Sequence, residues 1–117
     1  MHENCIELAI CTNVLRLAYR LGRDEEVVST ENFVYECLDY KMYDNCCYYF
    51  DSMFMFYLAR ALKFSDQAMK RFRKKLLKCV FECSKSQIEY VIDIACRLMV
   101  YKLLNVENEF VEHERQK

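Results

Sequence analysis

The sequence predicts an all-α fold, a single compact bundle of five to six helices around an apolar central helix, and three observations predict it. The 117-residue chain holds one glycine and no proline, so the tight turns on which hairpins and sheets depend have almost nothing to be made from. Residues Cys46 to Ala59 read CCYYFDSMFMFYLA, in which Asp51 and Ser52 are the sole polar side chains. A strand would need turn residues close on either side of such a run, and a membrane span would need about 18 or more uninterrupted apolar residues. A helix wrapped by other helices is the reading left. Third, apolar residues elsewhere recur at helical spacing with capping residues between the runs.

The first helix is expected from about Glu3 to Leu21, with Ile6, Ile10, Val14, Leu17, Ala18 and Leu21 as its buried face. Glu3 and Glu7 at its start and Arg16 and Arg20 at its end complement the helix dipole, and Gly22 stands where a left-handed cap is wanted. Arg23 to Glu26 then reads as a solvated connection. Ser29 or Thr30 caps a short second helix to about Lys41, buried along Phe33, Val34, Cys37 and Leu38. Asp44 or Asn45 starts the central helix, which continues to about Lys63.

Ser65 caps a fourth helix to about Glu82, with Met69, Phe72, Leu76, Cys79 and Val80 inward. Two overlapping capping boxes, Ser84-x-x-Gln87 and Ser86-x-x-Glu89, mark the start of a fifth. That helix, to about Leu104, shows a narrow polar stripe of Glu89, Asp93 and Arg97 and should be largely buried. Residues 1–104 thus form one helical bundle domain, and 105–117 a charged C-terminal tail or an extension of the last helix through Val106 and Phe110.

Composition narrows the class of function. The net charge of −1 and 30% charged residues are ordinary for a soluble protein, whereas the 54% hydrophobic fraction exceeds the usual ~45–50%. The excess lies in nine Tyr, eight Phe, six Met and eight Cys. Met1 to Ile10 lacks the basic start and apolar centre of a signal peptide. The cysteines are therefore expected to be reduced, buried thiols that pack as small hydrophobes, in an intracellular protein that is cytoplasmic rather than nuclear.

Enzyme signatures are missing. One glycine leaves no phosphate-cradling loop, nucleophile elbow or dinucleotide fingerprint, and a cysteine nucleophile would have to borrow a base from His2 or His113 at the chain's ends. Cys79-x-x-x-Cys83 places two thiols on one helix face, but a structural zinc wants four ligands. No catalytic residue, metal or cofactor is assigned. Asp51, inside the apolar run, is expected to pair with Arg60 or Arg97 or to have a raised pKa.

Two candidate binding features remain. Tyr40, Met42, Tyr43, Tyr48, Tyr49 and Met53 are more amphipathic bulk than a core of this size hides, and form the candidate apolar groove or dimer face. Lys70, Arg71, Lys74, Lys75 and Lys78 share an arc of roughly 140° on the fourth helix, opposite Phe72, Leu76 and Cys79, with Arg73 outside it. Residues 1–64 carry six basic and ten acidic side chains, net −4, and residues 65–117 eleven and eight, net +3. That division favours pairing within the fold or between copies.

The order of amphipathic helices around an apolar one resembles the B-cell-lymphoma (Bcl) family of apoptosis regulators. Val14, Ala18, Leu21, Gly22 and Asp24 stand like its helical death motif, with Arg23 splitting the Gly-Asp pair, and the family's Asn-Trp-Gly-Arg signature is absent. The death-fold adaptors are six-helix bundles of similar size. The resemblance implies a groove that captures an amphipathic helix to regulate apoptosis or innate signalling. The expected function is a non-enzymatic protein-interaction module that also forms a homo-oligomer. The alternative is a nucleic-acid or anionic-membrane binder using the basic face.

Overall fold

The computed structural model describes residues 2–39, 51–83, 91–106 and 115–116, with side chains from Leu8 onward and excepting that of Asp51. Among them are five α-helices: α1 (His2–Arg20), α2 (Val28–Asp39), α3 (Asp51–Leu62), α4 (Asp66–Cys83) and α5 (Val91–Leu103). No strand occurs among the described residues. The protein is an all-α bundle. Helix α3 packs against α1, α4 and α5, while α2 closes one side against α1 and α4.

The centre of the bundle is the apolar run. Phe54, Met55, Leu58, Ala59, Ala61 and Leu62 of α3 are all buried. They meet Leu15 and Tyr19 of α1, Leu38 of α2, Phe72, Leu76 and Val80 of α4, and Val100, Tyr101 and Leu104 around the end of α5 in one contiguous core. Cys37, Cys79 and Cys96 are buried and Cys11 and Cys83 are half-buried. The Cys79 thiol donates to the Leu38 carbonyl oxygen at 3.7 Å. No described helix is long and apolar enough to cross a membrane.

Two helices end on the same device. At Gly22, φ is 68°, Arg23 N donates to Ala18 O at 2.8 Å and Gly22 N to Tyr19 O at 3.2 Å. This is the Schellman pattern, which consumes two orphan carbonyls and needs a residue that tolerates left-handed backbone. Asn105 repeats it at φ 57°, with Val106 N to Tyr101 O at 2.8 Å and Asn105 N to Lys102 O at 3.1 Å. Val106 is then buried under the last turn. An extension of α5 through Val106 is ruled out by that turn, and Phe110 lies outside the described residues.

Ser65 caps α4 as expected: its Oγ accepts from Ala68 N at 3.2 Å and its hydroxyl donates to Asp24 at 2.7 Å. The start of α2 differs from expectation. A 3-10 turn over Asp24–Val27 runs straight into α2 at Val28, so Ser29 and Thr30 lie inside the helix rather than capping it. Asp24, Glu25 and Glu26 supply the negative charge that a helix start favours, and Arg23 pairs with Glu26 across the turn.

The orientation of α1 corrects the sequence reading. Ile10, Val14, Leu17 and Leu21 face solvent, 40–60% exposed, and of the expected face beyond Ile6, outside the described side chains, Ala18 alone is buried. The buried stripe is instead Leu8, Thr12, Leu15 and Tyr19, whose two hydroxyls are satisfied, Thr12 to Ala9 O at 2.9 Å and Tyr19 to Glu31 at 2.6 Å. Helix α1 is apolar on two faces and can bury one of them in its own bundle.

Helix α5 departs further. It was expected to be largely buried, yet Val91, Ile92, Ala95 and Met99 face out with Lys102, while Arg97 of its polar stripe is 2% exposed. The Arg97 guanidinium donates to Ser52 Oγ at 3.2 Å. Arg60 lies over the rings of Phe56 and Tyr57, at 5.7 and 5.3 Å, and the expected partner of either arginine, the Asp51 side chain, lies outside the described part. Burying Arg97 toward the one polar side chain described on the inner face of α3 turns the apolar side of α5 outward.

Candidate interaction surfaces

Of the expected groove, Tyr40, Met42, Tyr43, Tyr48 and Tyr49 lie outside the described residues, and Met53 is half-buried on α3. The basic face is described in full, and the fold uses part of it. Arg71 donates to Glu31 of α2 at 2.7 Å, and its guanidinium stacks on Tyr35 at 4.6 Å. Lys75 pairs with Asp39 of α2 and also lies over Tyr35. Tyr35 in turn meets Phe72 edge-on at 5.2 Å. These contacts fasten α4 to α2, so Arg71 and Lys75 are committed to holding helices together.

Arg73, outside the basic arc, has its own task. Its Nε and Nη2 donate to the Leu104 carbonyl oxygen at 3.2 and 3.0 Å, capping the C-terminus of α5, where cations are favoured. Lys70, Lys74 and Lys78 are left exposed along one line of α4 and make no ion pair among the described residues.

Glu31 is the junction of this side of the molecule. One carboxylate oxygen accepts from Tyr19 of α1 and the other from Arg71 of α4, so three helices meet on one acid. Burial first, and then the hydrogen bond and charge of Glu31, hold the Tyr19 phenol protonated well above its ordinary range. The Cys96 thiol is likewise pushed up, by burial and then by the charge of Asp93, against the smaller opposing influence of Arg97. A thiol held in that form is a poor nucleophile. No group of three or more metal-ligating side chains occurs among the described residues.

The exposed apolar surfaces of the bundle are ones which periodicity alone assigned to the interior. On α5, Val91 is 83% exposed and Ile92 and Met99 more than 40%. This stripe runs into an open cleft of about 710 Å3 lined by Lys63, Met99, Lys102, Leu103, Asn105 and Val106. On α1, Ile10, Val14, Leu17 and Leu21 form a second stripe. Nearby, Phe64, at the turn between α3 and α4, is 44% exposed beneath the guanidinium groups of Arg16 and Arg20. The signal for both stripes was present in sequence as helices with apolar residues in excess of one face. No protein-family model, curated protein or solved structure matches the chain.

Proposed function

We propose that the protein is a non-enzymatic protein-interaction module that captures an amphipathic partner helix on the outward face of α5. The outward face of α5 carries this reading: Arg97 is buried beside Cys96, Val100 and Tyr101, while valine, isoleucine and methionine face water. Exposed apolar stripes are costly to keep on a soluble chain and mark places where another surface docks. Ile92 and Met99, two helical turns apart with Ala95 between them, suit a helix laid alongside them, and Met99 adds adaptable contact area. Lys63 and Lys102 beside the cleft favour acidic residues at one end of the captured helix.

The test is affinity purification with the wild-type chain, with Ile92→Glu and Met99→Glu combined, and with Lys70, Lys74 and Lys78 all changed to Glu. Recovery should survive high salt, be lost in the α5 variant and persist in the α4 variant. The second reading, nucleic acid or anionic membrane on Lys70, Lys74 and Lys78, demands the reverse: binding that falls steeply with salt and disappears in the α4 variant. A Bcl-like or death-fold-like role in apoptosis or innate signalling rests on helix order, and titration with amphipathic helical peptides from such pathways tests it.

A further inference from the structure

Three arginines of the bundle lie on aromatic rings instead of on acids. Arg16 and Arg20 of α1 stand 5.7 and 5.4 Å from the centre of the same ring, that of Phe64, so the two guanidinium groups are no further apart than those distances combined. They are four residues apart, a spacing at which like charges on a helix repel. Arg60, in the last turn of α3, lies over Phe56 and Tyr57 and adds a third positive charge four residues before Phe64. Among the described residues no carboxylate pairs with any of the three. Asp24 accepts from Ser65, Glu26 pairs with Arg23, and Glu25 and Asp66 line other clefts. The Nε atoms of Arg16 and Arg60 are buried and have no hydrogen-bond partner there.

We propose that Arg16 and Arg20, standing on Phe64, form a seat for one phosphate monoester carried on a side chain of a partner protein. The ring prepares the seat: cation–π attraction holds each guanidinium in place, so little freedom is lost when its N–H edge meets an oxyanion. Charge selects phosphate. A carboxylate offsets one guanidinium, whereas a phosphate monoester brings nearly two negative charges and three acceptor oxygens, which answers both arginines and relieves their repulsion.

Extent and openness select the carrier. The seat spans one helical turn, room for one phosphate rather than for the track of them that a nucleic-acid strand presents. Phe64 is 44% exposed and Arg20 is in solvent, while sites for small free ligands enclose most of the ligand surface. A phosphate on a docked protein needs no such enclosure, because the rest of the interface keeps it close. The choice of a protein carrier rests on the reading of the chain as an interaction module, but the seat uses other residues than the outward face of α5.

The test is an NMR titration of the isotope-labelled intact chain, read at the backbone and arginine Nε–H signals, with a short glycine peptide whose central residue is phosphoserine. The same peptide with serine or glutamate at that place is the control. The phosphoserine peptide should shift the Arg16, Arg20 and Phe64 signals with a Kd on the order of 1 mM, several-fold tighter than the glutamate peptide, and the serine peptide should shift nothing. Arg20→Gln, at an exposed position where helical circular dichroism and melting should not change, should weaken the phosphoserine peptide about tenfold, and Arg16→Gln should do the same. Ile92→Glu/Met99→Glu should bind this peptide as the wild type does, so failure of capture at α5 and failure of the seat are separate results. No shift at about 10 mM phosphoserine peptide, or shifts untouched by Arg20→Gln and Arg16→Gln, overturns the seat. Equal binding of the glutamate and phosphoserine peptides overturns the choice of phosphate. A short oligothymidine that shifts the same signals at micromolar concentration, and no longer does so in Arg20→Gln, overturns the protein carrier.

Discussion

Helices α4 and α5 sit against the same central helix and turn different faces to water. In α4 the usual order holds: Ala68, Phe72, Leu76, Cys79 and Val80 are buried, and Lys70, Lys74 and Lys78 are in solvent. In α5, Arg97 is among the fully buried side chains while Val91, Ile92 and Met99 are outside. Both helices contribute to one core, so burial of apolar surface within the chain does not explain the difference. What separates them is the surface left over. Helix α4 finishes with a face that water solvates, and α5 with an exposed apolar one, the face on which the proposed partner docks.

The largest expected effect tests the conventional half. Phe72→Ala removes a fully buried ring that packs edge-on against Tyr35 and should cost about 3–5 kcal/mol in urea unfolding. That is a large share of the ~5–15 kcal/mol total of a typical domain. A cost below about 1 kcal/mol would mean that the inward face of α4 is not part of a packed core, and the comparison with α5 would lose its reference. Phe54→Ala on α3, 4% exposed, should behave in the same way.

Arg97→Ala comes next. The change leaves a cavity where a long side chain was, and takes the donor from the buried Ser52 hydroxyl; together these should cost about 2–4 kcal/mol. Lys78→Ala on the exposed line of α4 should fall within about 0.5 kcal/mol of wild type. If the two substitutions were equally harmless, Arg97 would be reaching water rather than packed inside.

How much of this could be read from sequence follows from the same contrast. The α4 pattern was legible because its apolar and charged residues separate cleanly, so periodicity left one choice of face, and Ser65 marked its start. The apolar run of α3 was legible because it has no polar face on which to rest. Helices α1 and α5 carry apolar residues on two faces, and periodicity cannot rank them. The choice fell to tertiary partners: Glu31 receives the Tyr19 hydroxyl, and Ser52 receives Arg97. The role of Arg73 was hidden for a similar reason, since the carbonyl it caps, that of Leu104, is 31 residues away. The tyrosines and the single methionine of residues 40–49, favoured as the binding face, lie outside the described part of the chain.

A smaller effect tests the clamp that ties α1 and α2 to α4. Tyr19 is held protonated in the fold above its ordinary value of about 10. The unfolded chain thus releases that proton first as the pH rises. Stability associated with Tyr19 is fully present below pH ~10 and is lost as the pH climbs above it. Urea midpoints from pH 8 to 11 should fall at the alkaline end, and the fall should be shallower in Tyr19→Phe. An identical slope in the two proteins would show that the phenol is not buried against Glu31.

The smallest effect on stability is the most informative about α5. Met99→Glu places a charge on a side chain that is 43% exposed, next to Lys63 and Lys102 at the rim of the cleft. A charge added at the surface of a complete monomer changes little, so the unfolding free energy should stay within about 0.5 kcal/mol of wild type, helped if anything by the neighbouring lysines. Binding should respond in the opposite sense, because a carboxylate carried under a partner helix must be stripped of water where a thioether was, at a cost of several kcal/mol. Unchanged unfolding with lost binding is the signature of a face built for another molecule. If Met99→Glu instead destabilised the isolated chain by 2 kcal/mol or more, the outward side of α5 would be packed within its own monomer, and the difference between α4 and α5 would reduce to one of local polarity.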